Sequence, residues 1–161
     1  MIQIDVANEQ SRVKLDEHRL RRAVEMILAD AGFGSAVVSL AVVDDEAMTE
    51  LNRQYLGKDE TTDVLSFPLQ HNDGQLEGEV VVSAQTAATV AGWYDWTPED
   101  ELLLYTIHGT LHLVGFRDAT PEEQHTMRQQ ETYYLNRFGL DGHFEEPAGP
   151  PDDDGGGTQV P

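Results

Sequence analysis

Residues 97–115 read TPEDELLLYTIHGTLHLVG and predict one long helix, around which the rest of the chain can be interpreted. Thr97 offers a capping hydroxyl to the first turn, and Pro98 suits the first helical position because its missing N–H is not needed there. Gly115 is typical of the residue at which a helix ends. The helix is therefore expected to run from Pro98 to about Gly115.

Two histidines of this helix are candidates for a metal site. His108 and His112 lie four residues apart, on one face of a helix, so both imidazoles can present a nitrogen to one divalent ion such as zinc. If the chain turns back at Gly115, Asp118 can join them and leave one coordination position open for water. Histidines at this spacing, taken alone, can also be incidental core or surface residues. Gly109 stands where the HExxH metallopeptidases carry the glutamate that acts as general base, so peptidase chemistry lacks its proton acceptor.

The remaining sequence predicts a single α+β domain over residues 1–139. Alternating or β-branched runs predict strands at 2–6, 36–43, 62–68 and 78–83, and a polar loop is expected around 72–74. Helices are expected after the caps Asp16, Asp44 and Thr120, and over 84–92. This order favours a mixed four-stranded sheet flanked by about five helices. Residues 140–161 are acidic and rich in glycine and proline, which predicts a disordered tail.

Composition narrows the possible chemistry. The 161 residues contain no cysteine, so any metal must be held by nitrogen and oxygen ligands.

The beginning of the chain does not resemble a secretion signal, and no apolar run approaches the roughly 20 residues of a membrane span. We therefore expect a cytoplasmic protein. A net charge of −20 argues against non-specific binding to nucleic acid, although a basic window near the first helix offers either an RNA contact or an ordinary solvated face.

Three blocks of the chain, in order, resemble the YbeY family of endoribonucleases and rRNA maturation factors. Residues 108–116, HGTLHLVGF, are similar to the family signature H-G-x-L-H-L-x-G-[YF]-D-H, which supplies three zinc ligands. Residues 52–68 are similar to the block N-x-x-Y-R-G-K-D-K-P-T-[DN]-V-L-S-F-P. Residues 78–83 resemble the strand G-[DE]-I-V-I. The likeness covers roughly residues 2–138.

This resemblance implies a function and a set of partners. It implies a zinc site, with one ion, in a cleft of the α+β domain, and cleavage of single-stranded RNA. The expected activity is a zinc-dependent, single-strand-specific endoribonuclease that matures the 3′ end of small-subunit (16S) rRNA in ribosome biogenesis. The implied partners are precursor rRNA, small-subunit ribosomal proteins and an Era-type GTPase, whereas DNA and membranes are not expected as partners.

Two departures from the family pattern affect the site. Asp118 stands where the family has its third metal-ligating histidine, and aspartate is a competent zinc ligand whose charge makes bound water less acidic. Leu56 stands where the family has an arginine, and leucine cannot bind a phosphate or stabilise transition-state charge. Arg53 or Arg117 could supply that charge, or both could be solvated surface residues. Together with Ser66, which lies in the substrate-side block, these arginines are the catalytic candidates.

Two other functions fit the same residues. The protein could be a ribosome-assembly binding module with a structural metal and little nuclease activity, which the loss of the arginine at Leu56 favours. It could also be a metal-dependent hydrolase of another substrate class, although the missing glutamate at Gly109 disfavours peptides.

Overall fold

The structure is a computed structural model that describes residues 1–142. Within this range the chain forms four strands and five helices. Their bounds in chain order are β1 Ile2–Asn8, α1 Glu17–Asp30, β2 Ser35–Val43, α2 Asp45–Leu56, β3 Val64–Asn72, β4 Gln75–Ser83, α3 Ala84–Ala91, α4 Pro98–Leu113 and α5 Pro121–Arg137. The order of strands in the sheet is β1-β2-β4-β3, with only β3 antiparallel to its neighbour among these four. The predicted α+β class with a mixed four-stranded sheet is confirmed.

Helix α4 is the centre of the larger hydrophobic core. It packs on β3 and β4 and also contacts α1, α3 and α5, so it is covered on nearly all sides. Leu103, Ile107 and Leu111 have no exposed surface, and burying a leucine or isoleucine side chain stabilises a fold by about 1.5–3 kcal/mol. A smaller core lies on the other face of the sheet, where Met48 of α2 packs against Leu65 of β3. The helix that carries His108 and His112 is therefore held rigidly by core packing.

The helix boundaries follow the capping residues of the sequence. The Thr97 hydroxyl accepts a hydrogen bond from the Asp100 N–H at 3.1 Å, and Thr120 forms a reciprocal capping box with Glu123. Asp16 and Asp44 likewise cap α1 and α2. These interactions are local, which explains why the sequence alone predicts them.

The hairpin of β3 and β4 is longer than expected. The prediction that one strand ends at Pro68 and the next begins at Gly78 is wrong, because both residues lie inside the antiparallel ladder. Proline is tolerated in β3 because this strand is at the edge of the sheet, and the register shifts directly after Pro68. The expected polar loop shrinks to a tight turn at Asp73-Gly74, both with positive φ.

The basic window of the first helix is partly occupied by internal contacts. Arg19 forms an ion pair with Asp100 of α4 at 3.1 Å, and the Arg21 guanidinium donates to the Ile4 carbonyl of β1. Both residues therefore tie α1 to its neighbours. Arg12, Lys14 and Arg22 are exposed.

Most of the predicted tail, 140–161, lies outside the described residues, but its first three residues, 140–142, do not. Leu140 packs against the larger core, and its N–H donates to the Leu135 carbonyl at 3.0 Å. Along residues 1–142, none of the helices has both the length and the apolar character needed to cross a bilayer.

Candidate metal centre

The two histidines of α4 face each other as the spacing predicts. His108 and His112 lie one helical turn apart, and their rings meet edge to face with centroids separated by 4.7 Å. Their Nε2 atoms are 3.2 Å apart. The side chains are 16% and 5% exposed, respectively, so this face of α4 is largely removed from water.

Asp118 is brought to the histidines by a reversal of the chain after α4. The helix ends with the Gly115 N–H donating to the His112 carbonyl at 3.1 Å. Gly115 has φ of +111°, a conformation that residues with a Cβ adopt only under strain. The Asp118 carboxylate then lies with Oδ2 3.3 Å from Nε2 of both histidines. The predicted set of His108, His112 and Asp118 converges on one point.

The three ligand atoms fit a zinc ion by both geometry and chemistry. Ligands about 2.0–2.1 Å from zinc in a tetrahedral site lie about 3.3–3.4 Å from one another. The separations of 3.2, 3.3 and 3.3 Å form nearly that triangle. Two imidazoles and one carboxylate are a common donor set for catalytic zinc, which leaves a fourth position for water or substrate. The residues therefore suit a divalent metal ion.

The structure adds Glu131, which sequence reasoning missed. This residue of α5 is 5% exposed, and its Oε2 contacts Nδ1 of His108, the ring nitrogen that faces away from the other ligands. One signal was available in the sequence. Met127, Tyr134 and Leu135 surround it at helical spacing and are buried, so a glutamate interrupts an apolar face, where a charged residue needs a partner.

The carboxylates control the protonation of the histidines when no metal is bound. Burial alone would lower the pKa of His108, but the carboxylates of Asp118, Glu131 and Asp63 outweigh it and raise the pKa to about 9. Burial, together with the charge on His108, lowers the pKa of His112. The hydrogen bond from His108 lowers the pKa of Asp118. In the metal-free protein at neutral pH, a protonated His108 is thus balanced by carboxylates, and a metal ion would replace its proton.

Gly109 allows α4 to lie directly on the sheet between the two histidines. A Cβ at this position would lie 2.6 Å from Val80 Cγ1, closer than real contacts allow, and 3.0 Å from Val64 Cγ2, which is a tight contact. The residue points towards the strands and away from the ligands, so the position of the HExxH glutamate has no room for a side chain here. Ser66 is completely buried, and its hydroxyl donates to the Gly109 carbonyl at 2.8 Å. Ser66 holds α4 on β3 in this way.

Asp63, at the start of β3, is a second carboxylate beside the metal ligands. It is half-buried, and its Oδ1 accepts from the Val64 N–H at 2.8 Å. Burial raises the pKa of Asp63 to about 7, although the nearby charge of His108 opposes this shift. Asp63 can therefore change protonation near neutral pH.

The two candidate arginines differ in whether their charge is already paired. Arg53 is ion-paired with Glu50 at 2.5 Å and also with Asp59, so its charge is already matched by two carboxylates. Arg117 directly precedes the ligand Asp118 and is exposed, and within residues 1–142 no carboxylate is paired with it. Leu56 is half-buried and packs against the smaller core.

Comparison with known proteins matches these features to one family. The family model described as "Endoribonuclease YbeY" matches residues 5–139. The chain is 40% identical to the endoribonuclease YbeY of Pelotomaculum thermopropionicum, with 84% of this chain and 96% of that protein covered. It is 39% identical to the one of Carboxydothermus hydrogenoformans, with coverages of 85% and 98%.

A solved structure shares the fold. The solution structure of TM1509 from Thermotoga maritima superposes with a TM-score of 0.57 and 28% identity, covering 86% of this chain and 91% of that one. The resemblance seen in the sequence motifs is confirmed. The chain belongs to the YbeY endoribonuclease family.

Proposed function

We propose that this protein is a zinc-dependent endoribonuclease that cuts single-stranded RNA. The observation that carries the proposal is the convergence of His108, His112 and Asp118 at the separations expected for zinc ligands. Membership of a family named for endoribonuclease activity supports RNA as the substrate.

The residues of the site would have separate roles in hydrolysis. His108 and His112 would each bind the ion through Nε2, and Asp118 would bind it through its carboxylate. When bound, zinc supplies Lewis-acid activation of water or of a phosphate oxygen. No side chain at Gly109 can act as a base, and we propose that Asp63, a half-buried carboxylate whose charge acts on His108, accepts or donates a proton at the site. Ser66 would act by holding α4 in place.

Arg117 is the better candidate to replace the family arginine that Leu56 has lost. Its guanidinium is exposed beside the ligand Asp118 and can bind the scissile phosphate in fork geometry. Arg53 would first have to give up its ion pairs with Glu50 and Asp59. This charge matters because Asp118 adds a negative charge that a third histidine would not, which weakens attraction of the site for phosphate.

The family resemblance supports a more specific role. We propose that the substrate is precursor 16S rRNA near its 3′ end, that the protein works with small-subunit ribosomal proteins and an Era-type GTPase, and that it does so in the cytoplasm. The exposed Arg12, Lys14 and Arg22 offer a basic surface for such contacts.

A cleavage assay tests the activity. Metal-depleted protein is reloaded with zinc and incubated with an RNA spanning the 3′ end of 16S precursor, either single-stranded or annealed to its complement. We expect cleavage of the single strand only, and only with metal. His112→Ala should lose both zinc and cleavage. His125→Ala is the matched control, because His125 is exposed on α5 and outside the ligand cluster. Equal cleavage by His112→Ala would contradict the proposal.

One observation favours a second candidate, a ribosome-assembly module with a structural metal. Leu56 packs into the smaller core in place of a phosphate-binding arginine. Protein that contains one zinc ion and co-sediments with small ribosomal subunits, yet never cuts precursor rRNA, would establish this function instead.

A further inference from the structure

We propose that Glu131 is the positioning residue of the metal centre, fixing the orientation and tautomer of His108. The inference rests on the proposed metal site and deepens it. Glu131 Oε2 contacts Nδ1 of His108, while Nε2 of the same ring faces His112 at 3.2 Å and Asp118 at 3.3 Å. One nitrogen of the imidazole thus faces Glu131, and the other faces His112 and Asp118.

This contact decides which nitrogen is available to a metal. An imidazole that binds a cation through Nε2 must carry its proton on Nδ1, and a carboxylate at Nδ1 stabilises that tautomer. The same contact prevents the ring from rotating away from its partners. His108 is therefore held as a metal ligand by α5, although the residue itself belongs to α4.

The charge of Glu131 also strengthens His108 as a donor. A buried carboxylate that accepts from Nδ1–H increases the electron density of the ring and makes Nε2 a better ligand. With Asp118, it brings two negative charges close to a site for a divalent cation, which favours binding of that ion. Burying a carboxylate at 5% exposure is costly unless it is paired, and the His108 ring provides that pairing.

The position of Glu131 is fixed by packing of the same helix. Met127 and Leu135, one turn before and after it, are 2% and 0% exposed. Tyr134, on the same face, donates to Asp30 of α1 at 2.8 Å. Helix α5 therefore cannot slide without breaking core contacts, and its carboxylate stays directed at His108.

Zinc affinity measured by competition with a chromophoric chelator tests the role. We expect Glu131→Gln, which keeps an acceptor but removes the charge, to bind zinc about 10-fold more weakly than wild type, and Glu131→Ala about 100-fold more weakly. NMR of the zinc-loaded full chain should show a slowly exchanging Nδ1 proton on His108 in wild type and in Glu131→Gln, and a rapidly exchanging one in Glu131→Ala, where its acceptor is gone. Tyr134→Phe, which removes a hydrogen bond of the same helix away from the site, should bind zinc as wild type does.

The outcomes separate this proposal from the proposed function. Wild-type affinity in both Glu131 variants, with wild type itself binding zinc and cutting RNA, would overturn the positioning role alone. An equal loss in Tyr134→Phe would overturn it too, because docking of α5 would then set the affinity. Wild-type protein that binds no zinc would overturn both proposals. If Glu131→Ala fails to fold, the nearly isosteric Glu131→Gln still decides.

Discussion

The cluster of His108, His112 and Asp118 and the region around Arg53 are built differently. On the metal side, α4 and α5 hold the ligands by core packing and buried hydrogen bonds, with His112 only 5% exposed. By contrast, Arg53 near the end of α2 is exposed and is held by surface ion pairs with Glu50 and with Asp59 of the following loop. Packing thus fixes the geometry of the first region, whereas the surface around Arg53 is free to rearrange. Substitutions should therefore have large effects in the first region and small effects in the second.

The largest effect is expected where α4 meets the sheet. Gly109→Glu, which would restore the HExxH pattern, should prevent folding, because even a Cβ there lies 2.6 Å from Val80 Cγ1. Gly109→Ala should lower the free energy of unfolding by about 1–3 kcal/mol, the usual cost of overpacking. Urea unfolding checks both, and Gly34→Glu is the control because nothing lies near its Cβ position. A folded, stable Gly109→Glu would show that α4 can move off the sheet.

The next largest effect is expected for Arg117, the exposed arginine beside the candidate ligand Asp118. Arg117→Ala should reduce RNA cleavage about 100-fold, the cost of removing one group that stabilises transition-state charge, while zinc content stays at wild-type level. The measurement is single-turnover cleavage alongside metal analysis. Unchanged cleavage would mean that Arg117 is an ordinary surface residue.

The apparent affinity for zinc should depend on pH. Because carboxylates raise the pKa of His108 to about 9 in the metal-free protein, a proton must leave before Nε2 can bind zinc. Apparent zinc affinity should therefore rise about tenfold per pH unit from about pH 7 towards pH 9, since one proton is released. Titration calorimetry in buffers of different ionisation enthalpy counts that proton. A pH-independent affinity over this range would contradict the charge arrangement.

The raised pKa of His108 also predicts how the stability of the metal-free protein depends on pH. A histidine whose pKa is higher in the folded than in the unfolded state stabilises the fold fully below about pH 6.5. That contribution is lost as pH rises through about 9. Metal-free protein should therefore become less stable to urea between these values, and His108→Gln should reduce the dependence.

The smallest effect is expected at Arg53. Its side chain is 51% exposed and paired with Glu50 and Asp59, so it has little free charge for a phosphate. Arg53→Ala should leave the cleavage rate within about threefold of wild type, in contrast to the loss expected for a group that stabilises transition-state charge. A loss as large as that of Arg117→Ala would assign the missing charge to α2 instead.

Local sequence signals account for the features of the fold and of the candidate site that could be predicted. The helices and the ligand set followed from caps, periodicity and the spacing of His108 and His112, all of which are local. The strand ends at Pro68 and Gly78 could not be predicted, because whether a proline or glycine breaks a strand depends on its place in the sheet. The reason for a glycine at position 78 also lies in the tertiary structure. Leu113 of α4 packs over Gly78, where a Cβ would lie 2.8 Å from Leu113 Cδ2.

The sequence by itself determined the α+β class, the family and the grouping of His108, His112 and Asp118, because each depends on residues close together in the chain or on motifs. Only the tertiary structure decided that Glu131 contacts His108, that Ser66 is buried under α4 and that Arg53 is already paired. His108 and Glu131 are 23 residues apart on different helices. Such a contact exists only when packing brings two helices together, and no local pattern encodes that distance.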